Sequence, residues 1–220
     1  MFDLHSHSML SDGELLPSEL ARRAEELDIK GLVISDHVDA SNIDFVVPRL
    51  AEVSKQLTGT MKITVKPGAE ITHVAPSELS RLVARARELG AELVLVHGET
   101  IVEPVIRGTN HAAIESKADI LTHPGLISKE DAALARTNGV RLEISARKGH
   151  SLTNGHVAKI ARETGAVLVF GSDTHAPGDL LDRSDAEKVA MGAGLDPDEV
   201  RKLFEETESL FNGRKESLTR

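Results

Sequence analysis

The sequence predicts an α/β fold of seven βα units around a parallel sheet. Short runs rich in Val, Ile and Leu alternate with longer amphipathic segments along the whole chain. Strict alternation of this kind builds parallel sheets, closed as a barrel or open and doubly wound. A third observation concerns chemistry: imidazoles and carboxylates recur where the apolar runs end.

The first run is FDLH (2–5), followed by HSMLSDG and then PSELARRAEELDI (17–29). That segment opens with Pro17 and Ser18 and carries Leu20, Ala24 and Leu27 at helical spacing, so a helix is predicted. GLVISDH (31–37) and KITVKPGAE (62–70) are the second and third strands. PSELSRLVARARELG (76–90) repeats the Pro-Ser opening and closes on Gly90, a helix with a C-cap. ELVLVH (92–97) is the fourth strand; the stretch after it is irregular, with only NHAAIESK (110–117) helical in pattern. DILTH (119–123), RLEIS (141–145) and AVLVFGSD (166–173) complete the strands, with helices at 128–139 and 153–165 between them. Helices at 182–195 and 196–213 follow the last strand and are expected to pack on the barrel. Phe2 and Leu4 are expected to face the helices. Aliphatic runs this short suit strands buried on both faces. With 220 residues and no linker, one domain spanning 1–220 is expected.

Composition narrows the chemistry. There is no Cys, Trp or Tyr, so disulfides are excluded and any metal must be held by nitrogen and oxygen. No apolar run approaches the ~20 residues that span a bilayer. No basic region precedes an apolar stretch at the N-terminus, so no signal peptide is expected and the chain reads as cytoplasmic. The formal net charge of −9 argues against broad electrostatic binding to nucleic acid, although bound cations would change the sign of one pocket locally.

The polar residues collect at the strand ends. His5 and His7 follow the first strand, His37 ends the second, and Glu70 ends the third. His97, His123, Asp173 and His175 mark the fourth, fifth and last, so six of the ten histidines sit at such ends. In a parallel barrel these ends open on one face. Residues two apart on a strand point the same way, which lets His5 and His7, or Asp173 and His175, aim at one ion. Asp12 lies on the first loop, where Gly13 permits a tight turn. Buried carboxylates without counter-charge are prohibitively costly, and almost no Lys or Arg stands at these ends. Nine candidate ligands (His5, His7, Asp12, His37, Glu70, His97, His123, Asp173 and His175) exceed one tetrahedral site and suit two or three divalent ions, with Zn, Mn or Fe compatible.

In order, HSH (5–7), SDG (11–13), SDH (35–37), GAE (68–70), HGE (97–99), THPG (122–125) and SDTH (172–175) resemble the PHP (polymerase and histidinol phosphatase) family. The resemblance runs from residue 3 to about residue 180. It implies a distorted (βα)7 TIM-like barrel with up to three metals. It also implies His5, His7, Glu70 and Asp173 on the first metal, and Glu70, His97 and His123 on the second with Glu70 bridging. Asp12, His37 and His175 would hold the third. A metal-bridging water held among Glu70, Asp173, His5 and His7 would attack phosphorus. Amidohydrolases also begin with His-x-His, but are usually longer and often bridge with a strand Lys that is missing here.

Arg147 follows the sixth strand and is the expected phosphate ligand, with Arg107, Lys148 or His150 assisting through charge or hydrogen bonds. Asp3, Asp36 and Glu99 flank ligands and are candidates for orienting them. His73 and His156 read as surface residues. The expected activity is hydrolysis of a small phosphorylated metabolite, in the manner of a histidinol-phosphate phosphatase. The alternatives are a phosphodiesterase or nuclease and, further off, an amidohydrolase-like enzyme or a non-catalytic metal scaffold.

Overall fold

The computed structural model describes residues 1–213. The last seven residues of the expected 1–220 domain lie outside the described part. Seven parallel strands form a nearly closed barrel with helices between them. In chain order they begin with β1 (Phe2–Asp3), α1 (Pro17–Glu26), β2 (Gly31–Ile34), β3 (His37–Val38), α2 (Ile43–Thr60) and β4 (Thr64–Ile71). Then come α3 (Leu79–Glu88), β5 (Leu93–His97), α4 (Thr109–Glu115), β6 (Ile120–Thr122) and α5 (Lys129–Asn138). β7 (Arg141–Ser145), α6 (Asn154–Thr164), β8 (Leu168–Gly171), α7 (Arg183–Gly192) and α8 (Pro197–Phe211) complete the chain. The sheet order is β1-β2-β4-β5-β6-β7-β8, with the short β3 continuing β2 beside β4. The ends meet where Ser6 bridges Thr174 in parallel, with His7 N donating to Thr174 O (2.8 Å) and Asp173 N to His5 O (2.9 Å).

The predicted second strand is broken at Ser35–Asp36. The Asp36 carboxylate accepts Ser8 N (2.7 Å), Ser8 Oγ (2.6 Å) and Ser11 Oγ (2.6 Å), which turns the strand toward the first loop. Helix α2 has no counterpart among the predicted helices. Its buried Ile43, Val46, Val47, Leu50, Ser54 and Leu57 keep helical spacing, but Pro48 stands inside it. Proline there removes one i→i−4 bond, and packing of the apolar stripe outweighs that loss.

Alternation along the strands divides the interior. Val94, Val96, Leu142, Ile144 and Phe170 join the large outer cluster against the helices. Leu4, Val33, Leu93, Leu95, Ile120 and Val169 form a second cluster with Phe211 of α8, which fills the end of the barrel nearest the strand N-termini. Phe2 and Leu4 belong to this inner cluster, with the Phe2 and Phe211 ring centroids 5.0 Å apart. The expectation that these two face the helices is corrected for Leu4, which points into the barrel, while Phe2 meets a helix in α8, which caps that end and makes its inward positions apolar. At the other end the inward positions become polar, with Glu70, His97, Thr122, Glu143 and Ser145 all buried. No described helix is long and apolar enough to cross a membrane.

Candidate metal centre

The first loop is built by small polar residues. Gly13 folds back on His7, and a Cβ at Gly13 would lie 2.3 Å from His7 O, so no other residue fits this turn. The turn carries Asp12, exposed and 3.3 Å from His175 Nε2 and 3.6 Å from His37 Nε2. Register places His37 directly beside Glu70 on β4.

The innermost group is fully buried. His5 Nε2 lies 2.9 Å from His7 Nε2, 3.4 Å from Glu70 Oε1 and 3.7 Å from Asp173 Oδ1. His7 Nε2 lies 3.6 Å from Glu70 Oε2 and 3.4 Å from Asp173 Oδ1. His123 Nε2 faces Glu70 Oε1 (3.5 Å) and Asp173 Oδ2 (3.7 Å). Donor atoms of His7, Asp12, His37 and His175 gather within 4.8 Å of one another, as do those of His5, His7 and Glu70, and those of His5, His123 and Asp173. The expected trio of Glu70, His97 and His123 is not among these groups; His97 and His123 gather with His150 instead.

Two features of this group fit divalent cations. Glu70 Oε2 and Asp173 Oδ2 are buried and accept no hydrogen bond, although His37 Nδ1 comes within 2.9 Å of Glu70 Oε2. His5 Nδ1 is held by Glu143 Oε1 at 2.7 Å, which makes Nδ1 the protonated nitrogen and leaves the Nε2 lone pair facing carboxylates and a second imidazole. A cation relieves both. The same electrostatics act on protons. Burial alone pushes His5 down, but Glu143, Glu70 and Asp173 together hold it well above its ordinary value. Burial takes His7 down to about 3. Burial opposes ionisation of Glu70, yet His5, His37 and His123 hold it well below the carboxylate range.

Three residues that contact the cluster were not predicted to do so. Glu143 orients His5 and also accepts His123 N at 3.0 Å. Its signal is a carboxylate at an inward position of a buried strand. Glu103 sits in the irregular loop after β5, its Oε2 3.1 Å from His97 Nε2 and its Oε1 3.4 Å from His150 Nε2. No spacing rule reaches it. His73 is exposed, as expected, and also lines the cavity 3.0 Å from Glu103 Oε2, because the chain leaving β4 carries it there three residues past Glu70. His156 bonds Ile127 O (2.8 Å) and stays away from the cavity.

Asp12, His37, His97, His123, Asp173 and His175, with His73 and Glu103, line a cavity of about 230 Å³. Arg147 lines it too, its Nη1 donating to Asp173 O (3.3 Å) and lying 3.7 Å from Asp179 Oδ2. His150 lines it, with Nδ1 2.8 Å from Thr100 Oγ1. Arg107 and Lys148 are exposed and do not line it: one precedes Gly108 at the base of its loop, and the other follows Arg147 on the outside of a turn. Asp3 accepts His5 N (3.3 Å) and Ser172 N (3.0 Å), and burial raises its carboxyl to about 6. Glu99 ties the base of the 99–110 loop by accepting Gly108 N (2.8 Å) and Asn110 N (3.0 Å).

The chain is 46% identical over 196 residues to the Methanocaldococcus jannaschii protein MJ1295, covering 88% of this chain and 90% of that one. A probable phosphatase of Shewanella sp. (strain ANA-3) is 44% identical over 75 residues, a match that spans 30% of its length. Among solved structures, a chain of an archaeal ribonuclease P with mature tRNA superposes with a TM-score of 0.76 at 20% identity, covering 97% of this chain and 91% of that one. That likeness is one of fold. The model of the PHP domain matches residues 3–214, the span that carries the whole imidazole–carboxylate cluster, and the chain belongs to the PHP family.

Proposed function

We propose that the protein hydrolyses a phosphomonoester of a small metabolite, using two or three divalent ions at the barrel mouth. The observation that carries this reading is the buried cluster of imidazoles around two carboxylates, each with an oxygen that accepts no hydrogen bond, opening on a cavity that also presents Arg147. Family membership and a phosphatase relative support a metal-dependent hydrolase.

In this reading His5, His7, Glu70 and Asp173 hold one ion, and Asp12, His37 and His175 another. His97 and His123 hold a further ion, with Glu70 or His150 completing it. Bound ions of this kind supply an activated water and neutralise phosphate charge. Glu143 keeps the Nε2 of His5 turned inward. Arg147, released from Asp179, offers its guanidinium fork to a phosphate oxygen. The net charge of −9 favours a small substrate over a nucleic acid.

The test compares hydrolysis of a generic phosphomonoester with that of a generic phosphodiester, alongside metal analysis of the purified protein. Metal-dependent monoester activity is expected. Activity on the diester alone would move the protein to the nuclease class. Arg147→Ala should raise KM for the monoester, with kcat less affected.

A further inference from the structure

We propose that His73, His97 and Glu103 form a further position for a divalent transition-metal ion at the mouth of the cavity. This position shares His97 with the inner centre. It lies outside the nine residues expected to hold metal, since neither His73 nor Glu103 is among them.

The donor atoms are already assembled. Glu103 Oε2 lies 3.0 Å from His73 Nε2 and 3.1 Å from His97 Nε2. Ligand atoms about 2.1 Å from an ion and that far apart subtend about 90° at it, within the range of octahedral geometry. His97 Nδ1 lies 3.2 Å from Gly98 O, a carbonyl that can only accept, so Nδ1 carries the proton. In the neutral ring the Nε2 lone pair then points at an anionic oxygen. A cation between them turns that repulsion into two bonds.

The backbone supports the same assignment. His73 adopts the left-handed conformation with φ of 53°. Such a conformation is uncommon for a residue with a side chain. The other described non-glycine residues with positive φ are Asp28, Lys117, His123 and Asp173. Asp28 and Lys117 lie just past the ends of α1 and α4, where left-handed residues are ordinary. His123 and Asp173 belong to the inner cluster, and His73 resembles them. Glu103 is held over the cavity because Glu99 clamps both ends of its loop.

The ligand set, two imidazoles and one carboxylate, suits Zn, Mn, Fe or Co and leaves positions open to water or to a substrate oxygen. A single Nε2 binds one ion at a time. An ion in the outer berth would therefore take His97 from the inner centre, which keeps His123 with Glu70 or His150. Because His73 and Glu103 are 39% and 37% exposed, the outer berth is the one an ion from solvent reaches first.

The inference rests on the metal-centre reading, and one experiment separates the two. Metal-free protein is titrated with Co²⁺, following visible absorption and bound metal, for the wild type, Glu103→Gln, His73→Ala and the pair. Circular dichroism and the melting temperature of each metal-free variant check folding, and Glu103→Gln keeps the side-chain shape. The expected result is that one Co²⁺ affinity falls at least about tenfold in each variant while the tighter ions are retained. Unchanged affinities and spectra in both variants would overturn the outer position, leaving Glu103 as a hydrogen-bonded carboxylate. A wild type that binds no Co²⁺ would overturn the metal centre itself.

Discussion

Glu143 decides which nitrogen of His5 faces the cavity. Its Oε1 lies 2.7 Å from His5 Nδ1, and Gly171 makes room for it: a Cβ at Gly171 would fall 2.0 Å from that oxygen. Glu143→Gln presents an amide instead of a full carboxylate and weakens the hold on the ring. Metal affinity should fall about 10–100-fold, read by metal titration, and an unchanged affinity would show that His5 needs no brace. Gly171→Ala should act in the same direction by displacing the carboxylate. At this scale the sequence was partly legible. His5, His7, His37, His123, Asp173 and His175 stood out because strand ends share one face. Glu103 and His73 did not, since their place depends on the path of a loop and on one left-handed residue.

Helix α8 shows how an element can be read closely from sequence. Asp196 caps it by accepting Glu199 N (2.9 Å), and Glu199 Oε2 accepts Asp196 N (2.9 Å) in return. Glu199 also takes Arg162 Nε and Nη2 from α6, each at 2.7 Å, and this pairing, with the Asp196 amide, lowers its carboxyl to about 2 from an ordinary 4.5. The folded value lies below the unfolded one, so the stabilisation is full above about pH 4.5 and is lost as pH falls toward 2. Urea melts of the wild type and Glu199→Gln should therefore differ at pH 7, and the gap should shrink below about pH 4.5 and close only near pH 2. A gap that stays constant would assign Glu199 another role. Asp196→Ala should cost about 1 kcal/mol by loss of the cap. Helix α2 marks the opposite case: Pro48 masks an apolar stripe that only packing on β4 makes helical.

The barrel as a whole is polarised, apolar where Phe211 fills one end and ionisable at the other. Asp3, Asp36, Glu70, Glu143 and Asp173 are all buried toward the ionisable end. Cations at the mouth offset their charge, so chelation should lower the melting temperature, and excess divalent ion should restore it. At a free-ion concentration 100 times Kd, one site contributes about 2.7 kcal/mol. A melting temperature indifferent to chelator would contradict a resident ion. Phe211→Ala should destabilise by about 3–5 kcal/mol in denaturant melts while leaving metal affinity intact, because the cavity it opens lies at the far end.

The sequence alone determined the alternation of strand and helix, the family, and the clustering of imidazole and carboxylate at the strand ends. Those features are periodic or local, and local spacing is what a linear chain records. The tertiary structure decided which atoms meet. It turned Leu4 into the barrel, set Glu143 against His5, and folded the 99–110 loop so that Glu103 stands over His73, His97 and His150. Residues 138 positions apart, such as His5 and Glu143, become partners only when the barrel closes, and no spacing along the chain encodes that closure.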